Sequence, residues 1–178
     1  MNVQALENNQ TLAQVIDPIS TGDKIGKDGR TKLEAAIDTL DNIGAIIELQ
    51  GPERYRRIAE DYADITSQRK ANGRLRTSVV VALTQSEVRR VIEIARATLP
   101  VERGGPSDRN VVSCYASQGM VADMALVVLG RESFDALGWE QLYVALSRGR
   151  EAVRLYTDDK AGLVEAVRKC ASAPPRRA

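Results

Sequence analysis

From Ser78 onward the chain alternates short β-branched or aliphatic runs with longer amphipathic segments. Ser78 to Leu83 (SVVVAL) is continuously apolar, as expected of a strand buried on both faces of a parallel sheet. Thr84-Gln85-Ser86-Glu87 has the spacing of a helix-opening capping box. Val88, Val91, Ile92, Ala95 and Leu99 then recur at intervals of three and four, which predicts a helix with one apolar stripe. Pro100 to Asn110 is Gly- and Pro-rich and reads as a linker. Val111 to Asp158 follows as strand (NVVSCY), polar turn (ASQGMV), strand (ADMALVVLG), helix (WEQLYVALSRGR) and strand (AVRLYTDD), with a last helix from Lys160 to Ala171. The order β-α-β-β-α-β-α implies right-handed crossovers and a mostly parallel sheet between two helical layers, a three-layer α/β/α fold.

Upstream, Leu33, Ala36, Ile37, Leu40 and Ile43 trace a helix that Gly44 should stop, and Ala45 to Leu49 is a short apolar run suited to a strand. Gln50-Gly51-Pro52 turns the chain. Pro52-Glu53 suits the first turn of a second helix carrying Tyr55, Ile58, Ala59, Tyr62 and Ile65. The basic loop Arg69 to Arg76 with its Asn72-Gly73 turn reads as a solvated connection, phosphate contact being the alternative. The expected organisation is a polar arm over 1–30, a helical segment over 31–76, the α/β domain over 77–172 and a basic tail over 173–178. Within the arm, Gly22 to Asp28 has the glycines and lysine of a phosphate loop, but the spacing is one residue short. Asp28 also stands where Ser or Thr is needed, and no strand precedes it, so a solvated turn is expected.

Composition narrows the chemistry. Lys and Arg number 25 against 24 acidic residues, so any polyanion site has to be local. The chain contains no histidine, which excludes imidazole metal sites, Ser-His and Cys-His pairs and His bases. Cys114 and Cys170 have neither metal-ligand nor disulfide spacing, so no metal site is expected and a reducing cytoplasm fits. The longest apolar runs are too short to cross a membrane and the first residues lack a signal-peptide pattern, so a soluble, unexported protein is expected.

Two polar clusters stand beside apolar structure. Ser117-Gln118-Gly119 ends a predicted strand, where open α/β sheets bind ligands, and offers a hydroxyl, an amide and a close-approaching backbone; a tight polar turn is the bland alternative. Arg148 and Arg150 stand at a predicted helix C-terminus. Their guanidinium groups could reach the same crevice or simply complement the helix dipole. Cys114 as a nucleophile is a third possibility, but a buried thiol with no histidine to activate it is the expected reading.

QLYVALSRGR, residues 141–150, resembles the last conserved motif of RecD-like superfamily 1 helicases, as found in the helicase part of MobF-type conjugative relaxases. The resemblance implies that Arg148 acts as an arginine finger on the γ-phosphate of ATP held by another motor domain. SCYASQG, residues 113–119, is similar to the preceding helicase motif, T-x-H-x-S-Q-G, with Tyr115 where the family often has His. This implies DNA contact by Tyr115, Ser117 and Gln118 and nucleotide coupling through Gly119 and Arg150, the tyrosine ring stacking on a base. The likeness spans about residues 35–172 and is carried mainly from 111 onward. There is no Walker A loop, no Asp-Glu pair closing an apolar strand and no relaxase His cluster. The expected protein is thus the second RecA-like motor domain of such a relaxase-helicase, without a nucleotide site of its own. It would bind single-stranded DNA and pair with a first motor domain or the rest of a relaxase polypeptide, which would hold ATP and Mg. The alternative is a non-catalytic module for single-stranded DNA binding or protein docking.

Overall fold

The computed structural model describes residues 32–99, Pro106 and residues 110–172; the 1–30 arm, its Gly22–Asp28 segment and the 173–178 tail lie outside the described residues. The elements run α1 (Lys32–Asn42), β1 (Ile46–Glu48), α2 (Gly51–Ser67), β2 (Ser78–Ala82), α3 (Gln85–Thr98), β3 (Val111–Ser113), β4 (Ala122–Val128), a 3-10 helix (Arg131–Ala136), α4 (Trp139–Leu146), β5 (Gly149–Thr157) and α5 (Lys160–Ser172). The five strands form one sheet in the order β1-β5-β4-β2-β3, and every pairing is parallel.

A parallel sheet covered on both faces needs strands that are apolar at every position, and β2 and β4 are buried along their whole length. Alternate residues serve opposite cores. Val79 and Val81 of β2, Ala125 and Val127 of β4, and Val153 and Leu155 of β5 pack with Ile37 and Leu40 of α1, Leu142 and Leu146 of α4, and Leu163 and Val167 of α5. Val80, Met124, Leu126, Val128 and Tyr156 face the other way, onto Tyr55, Ile58 and Tyr62 of α2 and Val88, Val91 and Ile92 of α3. The result is the expected three-layer, RecA-like α/β/α arrangement.

The segment expected to be mainly helical also contributes to the sheet. β1 pairs with β5 through Ile46–Leu155, Ile47–Tyr156 and Glu48–Thr157, forming one edge, and α2 supplies much of one core. β1, from the segment expected to be mainly helical, therefore shares one sheet with β2 to β5. The capping box at Thr84 forms as the sequence predicts: its hydroxyl accepts from the Glu87 amide while the Glu87 carboxylate reaches back to the Thr84 amide.

Candidate functional site

The chain after β3 winds through a tight turn whose bonds run from the amides of Ser117, Gln118 and Met120 to the carbonyls of Ser113, Tyr115 and Ser117. Cys114 and Met120 anchor this turn in the core. Gly119, at φ +83°, adopts the left-handed conformation that lets the chain leave it. Ser117 is fully buried and its hydroxyl donates to the Cys114 carbonyl at 2.7 Å, so it shapes the turn from within. Gln118 is exposed and Tyr115, at 71% exposure, presents its ring to solvent.

Arg148 joins this turn to the end of α4. Its Nε donates to the Val144 carbonyl at 2.8 Å, Nη1 to the carbonyls of Ser117 and Met120 at 3.2 Å each, and Nη2 to the Ser147 hydroxyl at 2.7 Å. The Arg148 carbonyl in turn accepts from the Ala122 amide at 2.9 Å. Two segments that the sequence places about thirty residues apart are thereby fastened by one planar cation. Gly149 follows because the backbone closes tightly here. Ala122 pairs with Gly149 but Met124 with Ala152, a bulge in which a Cβ on Gly149 would sit 2.3 Å from the Ala152 carbonyl oxygen and 3.1 Å from the Ala125 nitrogen. Arg150, 62% exposed, lies apart from Arg148, 3.7 Å from Asp123 Oδ1.

This places the motif residues differently from the simple α/β expectation. The turn starts at the carboxyl end of β3, but Arg148 and Ala122 meet at the amino ends of β4 and β5. At the carboxyl ends, the crossovers from β2 and β4 leave on opposite faces of the sheet, and the crevice between them is filled by the chain's own side chains. Arg54, 2% exposed, lays its guanidinium over Gly130, where a Cβ would meet its nitrogens at 2.5–2.6 Å. Its Nη2 bonds to the Tyr55 hydroxyl at 2.7 Å and to Glu132 at 3.2 Å. Nη1 lies 3.0 Å from Asp158 as an ion pair without hydrogen-bond geometry, and Nε has no partner. Burial opposes the Arg54 charge, but Tyr55 and the nearby carboxylates outweigh it and hold the group protonated.

Beside it, Glu87 accepts from the Gly130 amide at 2.9 Å and from the Ser133 hydroxyl at 3.1 Å. Burial raises its pKa despite these bonds. Neither Arg54 nor Glu132 has a motif around it in the sequence. Arg54 sits in the first turn of α2, where a solvated side chain is the ordinary reading, and only the packing of α2 against β4 and β5 reveals its burial. This crevice is closed by the Arg54 side chain.

Cys114 is also fixed. Its thiol bonds to the Gln141 carbonyl at 3.1 Å, and burial pushes its pKa up to about 11 against a smaller opposing pull from the Arg148 charge. A protonated, buried thiol is a poor nucleophile, which removes the cysteine-enzyme reading. Among the described residues no group of three or more His, Cys, Asp or Glu could hold a metal ion, and no helix is long and apolar enough to cross a membrane.

A second polar cluster lies at the amino ends of the strands. The segment after α2 folds back on itself, with an antiparallel bridge between Arg69 and Leu75 and a bond from the Arg76 amide to the Gln68 carbonyl. Lys70 from this hairpin reaches Asp123 Oδ1 at 2.5 Å and Glu151 Oε1 at 2.8 Å. Burial alone would raise the Asp123 carboxyl, but Lys70 and the amide and hydroxyl of Thr77 hold it below its ordinary value.

No protein-family model and no curated protein matches the chain. Among solved structures it is similar to the C-terminal domain of a possible DNA helicase from Lactobacillus plantarum WCFS1, with a TM-score of 0.52 and 14% identity over 89% of this chain and 91% of that one. At this identity the likeness is one of fold: the chain shares the α/β architecture of a helicase C-terminal domain.

Proposed function

We propose that this chain is the second motor domain of a RecD-like superfamily 1 helicase of the kind found in MobF-type conjugative relaxases, working with a first motor domain that holds ATP and Mg. The observation that carries the reading is the Arg148 guanidinium, whose Nη1 bonds join the two segments resembling the last two helicase motifs. In this reading Tyr115 and Gln118, the exposed members of the turn, contact single-stranded DNA, the ring by stacking and the amide by hydrogen bonding. Ser117 and Gly119 hold the turn's shape.

Arg148 supplies positive charge toward a phosphate held by the partner domain. To do so it exchanges the neutral carbonyls of Ser117 and Met120 for a charged acceptor, a stronger hydrogen bond. That exchange loosens the turn carrying Tyr115, so nucleotide state and DNA grip are coupled through one side chain. Arg150, close by in sequence and largely exposed, adds charge outside the brace.

The same bonds favour a second reading. Arg148 is already engaged by its own chain, as a structural brace would be, and a non-catalytic module for DNA binding or protein docking needs nothing more from it. Anisotropy of a labelled single-stranded oligonucleotide across a salt series tests the DNA half. The expected result is binding that weakens with salt and falls about tenfold in Tyr115→Ala, the loss of roughly one stacked base. Binding indifferent to Tyr115→Ala would overturn the assignment of the turn. ATP turnover on adding a separately expressed first motor domain, absent in Arg148→Ala, separates the motor from the module.

A further inference from the structure

We propose that the hairpin after α2 and the start of β5 form a second nucleic-acid contact, a groove that holds the phosphates of a single strand through Arg74 and Arg150. This rests on the nucleic-acid reading above and adds a site distinct from the Tyr115 turn. The groove, about 360 Å³, opens at the amino ends of β2, β4 and β5 and includes Arg74, Leu75, Thr77, Asp123 and Arg150 in its lining.

Its charges divide into two sets. Lys70 and Arg76 are matched by Asp123 and Glu151, at 2.5 Å from Lys70 to Asp123 and 2.8 Å from Arg76 to Glu151. These pairs leave neither carboxylate without a cation partner. Arg69, Arg74 and Arg150 remain as surplus cations. Among the described residues Arg69 bonds only a carbonyl, that of Gly73, and Arg150 stands at a long 3.7 Å from Asp123, already held by Lys70 and Thr77. Among the described residues, the exposed Arg74 side chain has no hydrogen-bond or ion-pair partner. Guanidinium groups present paired N–H donors matched to phosphate oxygens.

The groove lining includes an apolar side chain, Leu75, where a nucleotide would lay its sugar or base. Leu75 is 52% exposed at the hairpin and Val121 51% exposed just before β4. Val121 follows the turn bearing Tyr115, and Asp123, two residues later, lines the groove. Cations beside exposed apolar side chains suit a strand with alternating phosphates and bases; a lone inorganic anion has no use for Leu75.

The test is anisotropy of a labelled oligo-dT 20-mer with the full chain, from low to physiological salt. Wild type is compared with Arg74→Ala/Arg150→Ala, with Leu75→Ser and with Arg56→Ala/Arg89→Ala, which removes the same charge from exposed positions on α2 and α3. Circular dichroism melts confirm folding, which the exposed positions of Arg74 and Arg150 should leave unchanged. The expected result is a 10- to 100-fold loss in the groove double variant. Its log K against log salt should be shallower by about 1.4, two single-strand phosphate contacts, while the α2/α3 control changes by less than about threefold. Leu75→Ser should weaken binding without changing the slope. Equal losses in groove and control variants, or none in either, overturn the groove while leaving Tyr115-dependent binding, and with it the first reading, intact. Absence of wild-type binding overturns both, and displacement of the oligonucleotide by poly-glutamate at equal charge concentration would assign the groove to an acidic protein instead.

Discussion

Replacing Arg148 with alanine removes the donors that tie α4, the turn after β3 and the start of β5 together. Four hydrogen bonds are lost, to the carbonyls of Val144, Ser117 and Met120 and to the Ser147 hydroxyl. A hydrogen bond contributes roughly 0.5–1.5 kcal/mol net, more when one partner is charged. The site is only partly buried, so water can take up the freed carbonyls and the lower part of that range applies. Four bonds at about 0.5–0.8 kcal/mol give a loss of about 2–3 kcal/mol. For a domain of this size that is a fall in Tm of about 5–10 °C.

Urea unfolding should show a lower midpoint with an unchanged slope, since the surface buried on folding is nearly the same. Hydrogen exchange should accelerate at the Ala122 amide, which bonds the Arg148 carbonyl, before it does so in the middle of β4. Arg148→Lys retains the charge but not the planar fork, and should recover less than half the loss. If Arg148→Ala melts within about 1 °C of wild type and the Ala122 amide is equally protected, the guanidinium braces nothing. Any effect of the substitution on ATP turnover would then belong to the finger role alone.

Further outcomes follow from the same contacts. Gly149→Ala would drive a Cβ into the Ala152 carbonyl at 2.3 Å, with backbone on the second side at 3.1 Å, so urea unfolding should show a loss of about 1–3 kcal/mol. The raised pKa of buried Glu87 means its contribution is full below the ordinary carboxyl value and declines as pH rises through the folded value. Glu87→Gln lacks that decline, so its stability relative to wild type should improve in thermal melts as pH rises above the ordinary carboxyl value. An opposite trend would mean that Arg54 and the capping bonds dominate. Asp123 behaves inversely: its depressed pKa makes its ion pair a contribution present above about pH 4 and lost on further acidification. Asp123→Asn should be less stable at pH 7 by about 2–3 kcal/mol, with the gap closing toward pH 3 when both are followed by fluorescence.

How much the sequence determined by itself depends on how local each interaction is. Residues that act through their own periodicity were legible. The all-apolar run of β2 could only be a strand covered on both faces, the stripe of α3 and the Thr84–Glu87 box could only open and orient a helix, and the β-α alternation fixed a parallel three-layer sheet. The edge role of β1 was less visible, because three residues carry little pattern and their place is set by pairing with β5, more than a hundred residues away.

The polar sites were decided almost wholly by tertiary structure. The sequence marked Ser117, Gln118, Gly119 and Arg148 as notable, but not that Ser117 turns inward or that Arg148 bonds to the turn. Arg54 gave no sign, since burial of a helix's first-turn arginine depends on which neighbours close over it. Arg74 and Arg150, 76 positions apart in the chain, line one groove only because the hairpin after α2 folds back to the amino ends of β4 and β5. Hydrophobic period is a property of neighbouring residues and survives in one dimension. Charge pairing, burial of polar groups and the shape of a groove depend on which distant strands the sheet order brings together, and those exist only once the chain has folded.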